Sequence, residues 1–476
     1  MELTALDFIV FFGFLAATFL FGCSFFSKNQ KSSDYTTAGG KMPTIVVGMS
    51  IFATYVSSIS FLALPGNAYM SNWNSFMFSL SIPLASWIAM KYFVPFYRSI
   101  ESVSAYSYLE KRFGYWARAY ASSCYLLTQI ARIGSVLYLM ALPLHTMLGW
   151  SIPLIMLVSG ICVITYSVLG GITAVIWTDT IQGFILIIGA LACIGVLLFS
   201  IDGNPMEVFR IAIEHDKFSL GSFGSQLNEQ TFWVTLVYGL FINLQNYGID
   251  QNYVQRYKTA KDDRSARQAA LFGGLLYVPV SMFFFFIGTA LFAFYHMYPN
   301  LLPAGTPNDA VFPYFIIHQL PTGVTGLLMA AICAAGLSTV STSINSSATI
   351  ILTDFFQRKR QRTDKENMRI LYISSLILGL LGMGLGLAMM SVKSALDAWW
   401  NLAGIFSGGM LGLFLLGFVT RKVKNIHAVI GTICGVILIA WMSLSGSSPF
   451  HNYLVIVFGT LLIYLTGFSL SIVIKK

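Results

Sequence analysis

The stretch AGLSTVSTSINSS, residues 335–347, lies inside an apolar segment of membrane-spanning length at residues 321–353. In a helix, Ser338, Ser341 and Thr342 share one face and Thr339 sits at its edge. Such a face offers several oxygen ligands without net charge, which suits a small, hard, monovalent cation. The alternative is that small residues form the packing surface between membrane helices. The density of hydroxyl groups favours the cation site.

The composition indicates a polytopic membrane protein. Hydrophobic residues make up 56% of the 476 residues and charged residues only 10%, which excludes a soluble globular domain. The hydropathy pattern predicts an all-α fold with about thirteen transmembrane helices, near residues 5–25, 43–68, 75–97, 117–148, 151–169, 174–200, 230–250, 269–297, 321–353, 370–391, 398–419, 427–446 and 452–474. An odd number of spans places the two termini on opposite sides of the membrane.

The charge distribution predicts the orientation. Most of the 28 lysines and arginines fall in loops on one side, from Lys28 to the terminal Lys475 and Lys476, whereas Lys393 belongs to the other side. Because cytoplasmic loops are rich in these residues, we expect the amino terminus outside and the carboxyl terminus in the cytoplasm. The net charge of +9 is then explained by the basic residues of the cytoplasmic loops, and no nucleic-acid partner is needed to explain it.

Motifs for covalent or metal chemistry were not found in the sequence. The six cysteines stand singly in predicted spans, without the paired spacing of a disulfide or a zinc site. The sequence contains no HExxH, phosphate-binding loop or GxSxG motif. We therefore do not expect an enzyme, and no obligate protein partner is evident.

Two predicted spans carry residues that break a membrane helix. Residues 43–68 contain Gly48, Pro65 and Gly66 among several hydroxyl residues, and residues 230–250 contain a polar run ending at Asp250. Helices interrupted at matching places in two halves indicate an inverted-repeat transporter with its site at the breaks. The pattern predicts one transporter domain over 1–476, with an extra helix at 5–25, a first repeat at 43–200, an inverted second repeat at 230–419 and two further helices at 427–474.

Few charged residues fall within the predicted spans. Arg132 lies at the middle of the fourth span, where a guanidinium must face a cavity or a partner. Its planar fork matches a carboxylate, so it binds either an anionic substrate or a permanent partner such as Asp179. Asp179 and Asp250 each lie near a span end, where a functional role and a plain interfacial position both remain open.

The chain resembles the bacterial sodium/solute symporters across essentially all thirteen helices. The motifs that carry the resemblance are residues 34–40 (DYTTAGG), 166–171 (YSVLGG), 178–182 (TDTIQ) and the cluster at 335–342. The resemblance implies a LeuT-type five-plus-five inverted repeat with one extra helix before it and two after. It also implies a place in the bacterial inner membrane.

Two sodium sites follow from this resemblance, with Na⁺ as the coupling ion. The first would use the backbone carbonyls of Ala53, Val56 and Ala335 and the hydroxyls of Ser338 and Thr339. Neutral oxygens replace part of the hydration shell yet bind weakly enough to release the ion. The second, found in only part of the family, would use Asp179, Ser338, Ser341 and Thr342, with two Na⁺ per substrate.

The substrate implied by the resemblance is an acidic sugar, N-acetylneuraminate above all, since the residue set is most similar to the sialic acid branch. Arg132 would hold the carboxylate. The remaining predicted contacts are polar side chains for hydroxyl and amide groups: Ser57, Ser60, Ser75, Ser79, Asn243, Asn246 and Tyr247. Proline, pantothenate, a short carboxylate or a neutral sugar are alternative substrates, and a channel or a membrane sensor is the alternative from another class.

Overall fold

The computed structural model describes residues 4–25, 31–57, 59–200, 204–358, 362–392, 395–445 and 448–473. Of the basic residues used for the predicted orientation, Lys28, Lys359, Arg360, Lys393, Lys475 and Lys476 lie outside this set. The described part is all-helical, with no strand, and its helices are α1 (Ala5–Cys23), α2 (Ser32–Thr37), α3 (Thr44–Tyr55), α4 (Leu64–Met70), α5 (Phe76–Leu80), α6 (Ile82–Ile88), α7 (Val94–Ser99), α8 (Ser107–Phe113), α9 (Tyr115–Leu148), α10 (Ile152–Phe199), α11 (Pro205–Glu214), α12 (Phe232–Ile249), α13 (Gln251–Thr259), α14 (Asp263–Met297), α15 (Asn308–Gln319), α16 (Val324–Ile350), α17 (Asp364–Met389), α18 (Ala395–Val419), α19 (Asn425–Leu444) and α20 (Leu454–Val473).

Short π-helical and 3-10 segments join some of these helices. The π-helical segments are Ile59–Ala63, Ala89–Phe93 and Ile351–Phe356, and the 3-10 segments are Ala38–Gly40 and Pro299–Leu301. Within the described ranges, ten helices are long and apolar enough to cross a membrane, and the bent pair α3 and α4 brings the number to eleven. The exact count of thirteen spans stays a prediction, because α10 is counted once and the polar α12 is not counted.

Helix α10 contains a kink, and it is too long for a single membrane span. At about 1.5 Å per residue, its 48 residues would extend roughly 70 Å, more than twice the hydrocarbon thickness of a bilayer. Gly171 interrupts it with φ 56° and ψ −167°, a conformation that side chains with a Cβ rarely adopt. The segments on either side of Gly171 correspond to the fifth and sixth predicted spans.

The predicted break in the second span is present. Helix α3 ends at Tyr55, Val56 is extended with ψ 101°, and the chain resumes through a π-helical segment into α4, with a bend of 58° between the two parts. The backbone carbonyls around Val56 therefore lack the regular helical partners that they would have in an unbroken helix. Such carbonyls can accept from side chains, as those of Thr54 and Tyr55 do from Arg132 and Ser60, or face a bound ion or ligand.

The predicted break in the seventh span lies later than its polar run suggested. Helix α12 is continuous through Asn243 and Gly248, and the chain turns extended only at Asp250, with ψ 126°. Asp250 then caps α13, because its carboxylate accepts a hydrogen bond of 2.8 Å from the backbone N–H of Asn252. The Asn243 side chain bonds neighbouring helices, so its polarity does not interrupt its own helix.

Helix α1 is tied to the amino-terminal end of α16 by a buried carboxylate. Asp7 accepts hydrogen bonds from the backbone N–H groups of Gly323 at 2.7 Å and Gly326 at 3.1 Å, and its other oxygen accepts from Thr4. Gly326 permits the close approach, since a Cβ there would lie 2.3 Å from the carbonyl oxygen of Asp7. The extra first helix thus caps the helix that carries the hydroxyl cluster.

We expect Asp7→Asn to lower thermal stability in detergent by about 1–2 kcal/mol, in the range of a lost helix cap. The Asp7 carboxylate accepts four hydrogen bonds, two on each oxygen. The amide of asparagine is uncharged and has only one oxygen that can accept. Glu214→Gln is the matched control, because it removes an exposed carboxylate whose ion pair in the described structure is with Arg210. Equal melting temperatures for Asp7→Asn and Glu214→Gln would show that the hydrogen bonds of Asp7 to α16 do not stabilise the protein.

An ion-pair cluster joins the beginning of α9 to the end of α16. Arg118 donates to Asp354 at 2.5 Å and to Glu110 at 2.8 Å, and Glu110 also accepts from Arg358. Asp354 is fully buried and accepts further bonds from Ser104 and Ser122. The cluster lies fourteen residues before Arg132, or about 21 Å along α9, and sixteen residues after Ser338, or about 24 Å along α16.

Candidate functional site

The broken helix and the polar end of α12 enclose a cavity of about 830 Å³. Helices α5, α9, α14 and α18 complete its wall. Six of the residues predicted to bind substrate line it, namely Arg132, Ser57, Ser60, Ser75, Ser79 and Asn246. The structure therefore brings together, from four separate segments, most of the set proposed from the sequence.

Arg132 is the cation of this cavity. Its Nη2 donates to the backbone carbonyl of Thr54 in the last turn before the break in the second span. Its guanidinium carbon lies 6.0 Å from the centre of the Trp399 ring, within cation–π range. Among the described residues, no carboxylate forms an ion pair with Arg132, so the permanent pair with Asp179 that the sequence left open does not form.

Neutral polar groups surround the arginine. Ser79 shares a hydrogen bond of 2.7 Å with Ser281 of α14, and Ser60 donates to the carbonyl of Tyr55 at 3.0 Å. Ser75 accepts a longer bond of 3.3 Å from Gln230. Hydroxyl oxygens can accept as well as donate, so these side chains keep capacity for the hydroxyl and amide groups of a ligand.

Asn243 and Tyr247 lie behind the wall and do not line the cavity. The residues of α12 that line it are Tyr238, Ile242, Gln245 and Asn246, which recur every three to four positions along one helix face. Asn243 and Tyr247 each follow one of these by a single position and are therefore rotated by about 100°. Both instead support Tyr55, since Tyr55 donates to Asn243 at 2.6 Å and stacks on the Tyr247 ring.

The cavity also contains a carboxylate, Asp250, which both caps α13 and lines the wall. Aromatic residues close the opposite side, where Phe78 stacks on Trp400 with ring centres 5.3 Å apart. The cavity thus combines one cation, one anion, several hydroxyl and amide groups and a rim of flat rings. That combination suits a polar, anionic molecule with apolar ring faces.

Two groups of the first predicted sodium site are bonded to each other on α16. Thr339 donates to the carbonyl of Ala335 at 3.0 Å, and Ser338, one position earlier, is buried beside it. The carbonyls of Ala53 and Val56 belong to the last turn of α3, next to Thr54, which binds Arg132. Cation ligands and the arginine therefore share the helix break.

The second predicted sodium site contains an arginine that the sequence analysis did not include. Arg256 Nη2 lies 2.7 Å from Asp179 Oδ2 and 3.1 Å from Thr342 Oγ1, while Ser338 donates to the other oxygen of Asp179. The side chains of Arg256 and Asp179 are 0% and 1% exposed. Asp179, Ser338 and Thr342 are thus brought together, as predicted, but around a guanidinium.

Ser50 and Ser341 complete the surroundings of this pair. Ser50 accepts from Arg256 Nε at 2.7 Å and donates to Asp179 at 2.6 Å. Ser341 donates to the carbonyl of Ser338. In the sequence, Arg256 looks like one of several basic residues in the segment 251–268. The amide residues at 251–255, which form the start of α13, are the signal that this part of the segment is buried.

Comparison with known proteins agrees with this architecture. The model of the sodium:solute symporter family matches residues 35–435. The sodium/sialic acid symporter NanT of Aliivibrio fischeri is 34% identical over 99% of this chain and 94% of its own length. SiaT of Proteus mirabilis, also a sodium/sialic acid symporter, is 34% identical over 97% of this chain and 94% of its own length.

Solved structures give the same result. A Na⁺-coupled sialic acid symporter in a substrate-bound, outward-open state superimposes with a TM-score of 0.93 and 30% identity, over 99% of this chain and 98% of that one. The transporter Mhp1 in a closed conformation aligns over 92% of this chain and 94% of its own, with a TM-score of 0.62 and 15% identity, which shows the fold alone. The all-α, LeuT-type fold expected from the sequence is confirmed.

The family model covers most of the chain, and its members are transporters that use sodium. The expectations of a multi-pass protein of the bacterial cell membrane and of Na⁺ as coupling ion are confirmed with it. The chain belongs to the sodium:solute symporter family.

Proposed function

We propose that this symporter takes up an acidic sugar, N-acetylneuraminate, together with Na⁺. The observation that carries the proposal is Arg132, a guanidinium that faces the cavity without a carboxylate partner among the described residues. The carboxylate of Asp250 lies in the same wall but forms no ion pair with Arg132 in the described structure, so the guanidinium can bind the carboxylate of a ligand. The relatives that share the fold over the whole chain are named for sialic acid.

The substrate fits the cavity in a specific orientation. Its carboxylate meets Arg132, and a planar fork can give it two parallel hydrogen bonds. Ser57 and Ser60 at the break, and Ser75 and Ser79 on the facing wall, then meet hydroxyl and amide groups. Asn246 can accept or donate and the Asp250 carboxylate can accept on the third side, while Asn243 and Tyr247 act by holding Tyr55 in place.

Sodium couples to this binding at the break. An ion held by the carbonyls of Ala53, Val56 and Ala335 and the hydroxyls of Ser338 and Thr339 orders the last turn of α3. Arg132 bonds Thr54 in that same turn. Filling the first sodium site therefore fixes the anion-binding group, which is the physical link that makes uptake depend on sodium.

The second sodium ion needs a conformational change, because Arg256 holds Asp179. Two unit charges about 4 Å apart interact by roughly 4 kcal/mol at an effective dielectric constant of 20. For a sodium ion between Asp179 and an undisplaced Arg256, the attraction to the carboxylate is about as large as the repulsion from the guanidinium. We therefore assign the second site to Asp179, Ser338, Ser341 and Thr342 after Arg256 has released the carboxylate.

The proposed topology follows the expectations from charge and helix breaks. The amino terminus is outside and the carboxyl terminus in the cytoplasm. The repeats comprise residues 43–200 and 230–419, with the extra helix at 5–25 before them and the two helices at 427–474 after them. Binding partners are the lipid bilayer, sodium and the sugar acid.

Ser338→Ala and Thr339→Ala should each raise the sodium concentration for half-maximal uptake by about fivefold, because each removes one oxygen ligand worth about 1 kcal/mol. Ser343→Ala is the matched control. Ser343 lies on the same helix, is fully buried, and its hydroxyl has no hydrogen-bond partner in the described structure. If both variants reach half-maximal uptake at the native sodium concentration, Ser338 and Thr339 do not bind the first sodium ion.

A binding experiment tests the substrate assignment. We expect purified protein to bind N-acetylneuraminate in sodium but not in potassium buffer, and to bind the uncharged amide of the same sugar at least tenfold more weakly. Competition by proline, pantothenate, short carboxylates and neutral hexoses separates the alternative substrates. If the protein prefers one of these compounds, that compound is the substrate in place of the sugar acid. The assignment of the fold and of the sodium sites would not change.

A further inference from the structure

A second cavity, of about 1150 Å³, lies between α1 and helices α9, α10 and α16. Close contacts near both ends of α1 hold this helix against the rest of the protein. At one end Asp7 caps α16; at the other, the backbone of Gly22 comes so close that a Cβ on Gly170 would lie 3.0 Å from its carbonyl oxygen. Between these contacts, side chains of α1 such as Phe12 and Ala16 face an open space.

The cavity opens to the bilayer. Three residues that line it, Phe12, Trp150 and Val158, keep 51%, 44% and 42% of their surface exposed. In a membrane protein, apolar residues exposed in this way face lipid. A molecule that enters here therefore comes from the hydrocarbon phase.

One polar group lies inside this apolar space. Gln182 lines the cavity and is 2% exposed, and its Oε1 is buried without a hydrogen-bond partner. An unsatisfied buried acceptor costs about 1–3 kcal/mol. A bound molecule with a hydrogen-bond donor would remove that cost.

The depth of Gln182 limits what the donor can be. It lies eleven residues after the kink at Gly171, which separates the fifth and sixth predicted spans, or about 16 Å along the helix. That places it near the middle of a hydrocarbon core about 30 Å thick. A phospholipid keeps its head group at the interface and brings only a hydrocarbon chain, without a donor, to this depth.

We propose that this cavity binds a compact apolar molecule that carries one hydroxyl or N–H group, and that this group donates to Gln182 Oε1. The cavity shares its walls with the cation residues: Gln182 lies one turn after Asp179, and Ala334 and Leu337 immediately precede Ala335 and Ser338. A ligand here therefore shifts the sodium activation curve of transport. This consequence rests on the proposed sodium sites, whereas the binding itself does not.

Carbazole and N-methylcarbazole form a matched probe pair, because they differ in the N–H donor and partition into lipid similarly. Binding is measured in nanodiscs, with protein-free nanodiscs subtracted. We expect native protein to bind carbazole about three- to tenfold more tightly than N-methylcarbazole, the range of one buried hydrogen bond. In Gln182→Met the two probes should bind equally.

In the second test, a larger side chain fills the cavity. Ala16→Trp should abolish binding of both probes, whereas Leu20→Trp, on the same helix at a position 66% exposed and outside the cavity, should leave binding unchanged. Equal binding of the two probes to native protein, or binding that survives Ala16→Trp, would overturn the site. Normal binding with no shift of the sodium curve would instead count against the sodium ligands assigned to α16 and α10.

Discussion

Replacing Arg132 by lysine reduces the apparent affinity for N-acetylneuraminate by about ten- to hundredfold, in a protein that still folds and inserts. The loss corresponds to 1.5–3 kcal/mol, the worth of a hydrogen bond to a charged group. Lysine keeps the positive charge but presents a single ammonium in place of a fork with two parallel donors. Uptake at a fixed low substrate concentration measures the effect.

The uncharged amide of the sugar is the control for this prediction. Because it cannot accept the charge-assisted pair, it should be transported poorly by native protein and no worse by Arg132→Lys. The melting temperature reports whether the Arg132→Lys protein is intact, since Arg132 is also bonded to Thr54. Near-normal uptake by Arg132→Lys would exclude recognition of a carboxylate by this residue.

The second large effect concerns stoichiometry. Two Na⁺ with one monoanionic sugar carry a net charge of +1 per cycle. A membrane potential of about 100 mV contributes about 2.3 kcal/mol per net charge, and a tenfold sodium gradient adds about 1.4 kcal/mol per ion. The driving force is then about 5 kcal/mol, an accumulation limit of several thousandfold at about 1.4 kcal/mol per tenfold.

One sodium with one monoanion would be electroneutral and limited to about tenfold accumulation under the same gradient. We therefore expect an imposed inside-negative potential to accelerate native uptake strongly in proteoliposomes. The sodium dependence should be sigmoidal, with a Hill coefficient above one. An uptake rate that does not change with the membrane potential, together with a hyperbolic sodium dependence, would show that Asp179 holds no second ion.

Variants of the buried pair test how the second ion binds. Asp179→Asn should reduce the Hill coefficient toward one, but it also leaves Arg256 buried without its counter-charge, which destabilises a protein by about 3–5 kcal/mol. The double variant Asp179→Asn with Arg256→Gln is the matched control, because neither charge remains unpaired. Arg256→Gln alone should lower the sodium concentration at which the second ion binds, since the competing guanidinium is gone.

The features that the sequence predicts well are local ones. The break near Val56 follows from glycine, proline and hydroxyl residues within one span. The depth of Arg132 follows from counting residues along a span, and the face shared by Ser338, Ser341 and Thr342 follows from helix periodicity. These signals need no knowledge of how helices pack.

The features that it missed depend on tertiary contacts. Arg256 and Asp179 are 77 positions apart, and hydropathy assigns Arg256 to a basic loop because it does not report which loops fold back into the protein. The family resemblance placed Asn243 among the substrate contacts, yet its amide donates to the Phe78 carbonyl and to Ser81 on the neighbouring segment. Polarity alone cannot distinguish a group that supports a wall from a group that faces the ligand.

The central claim is that a sodium gradient drives accumulation of an acidic sugar. Its most direct test is uptake of radiolabelled N-acetylneuraminate into proteoliposomes that contain only this protein. We predict accumulation above the external concentration when sodium is high outside, and none when potassium replaces sodium or an ionophore collapses the gradient. Equal uptake with and without the sodium gradient, stopping at the external concentration, would contradict the proposed symport.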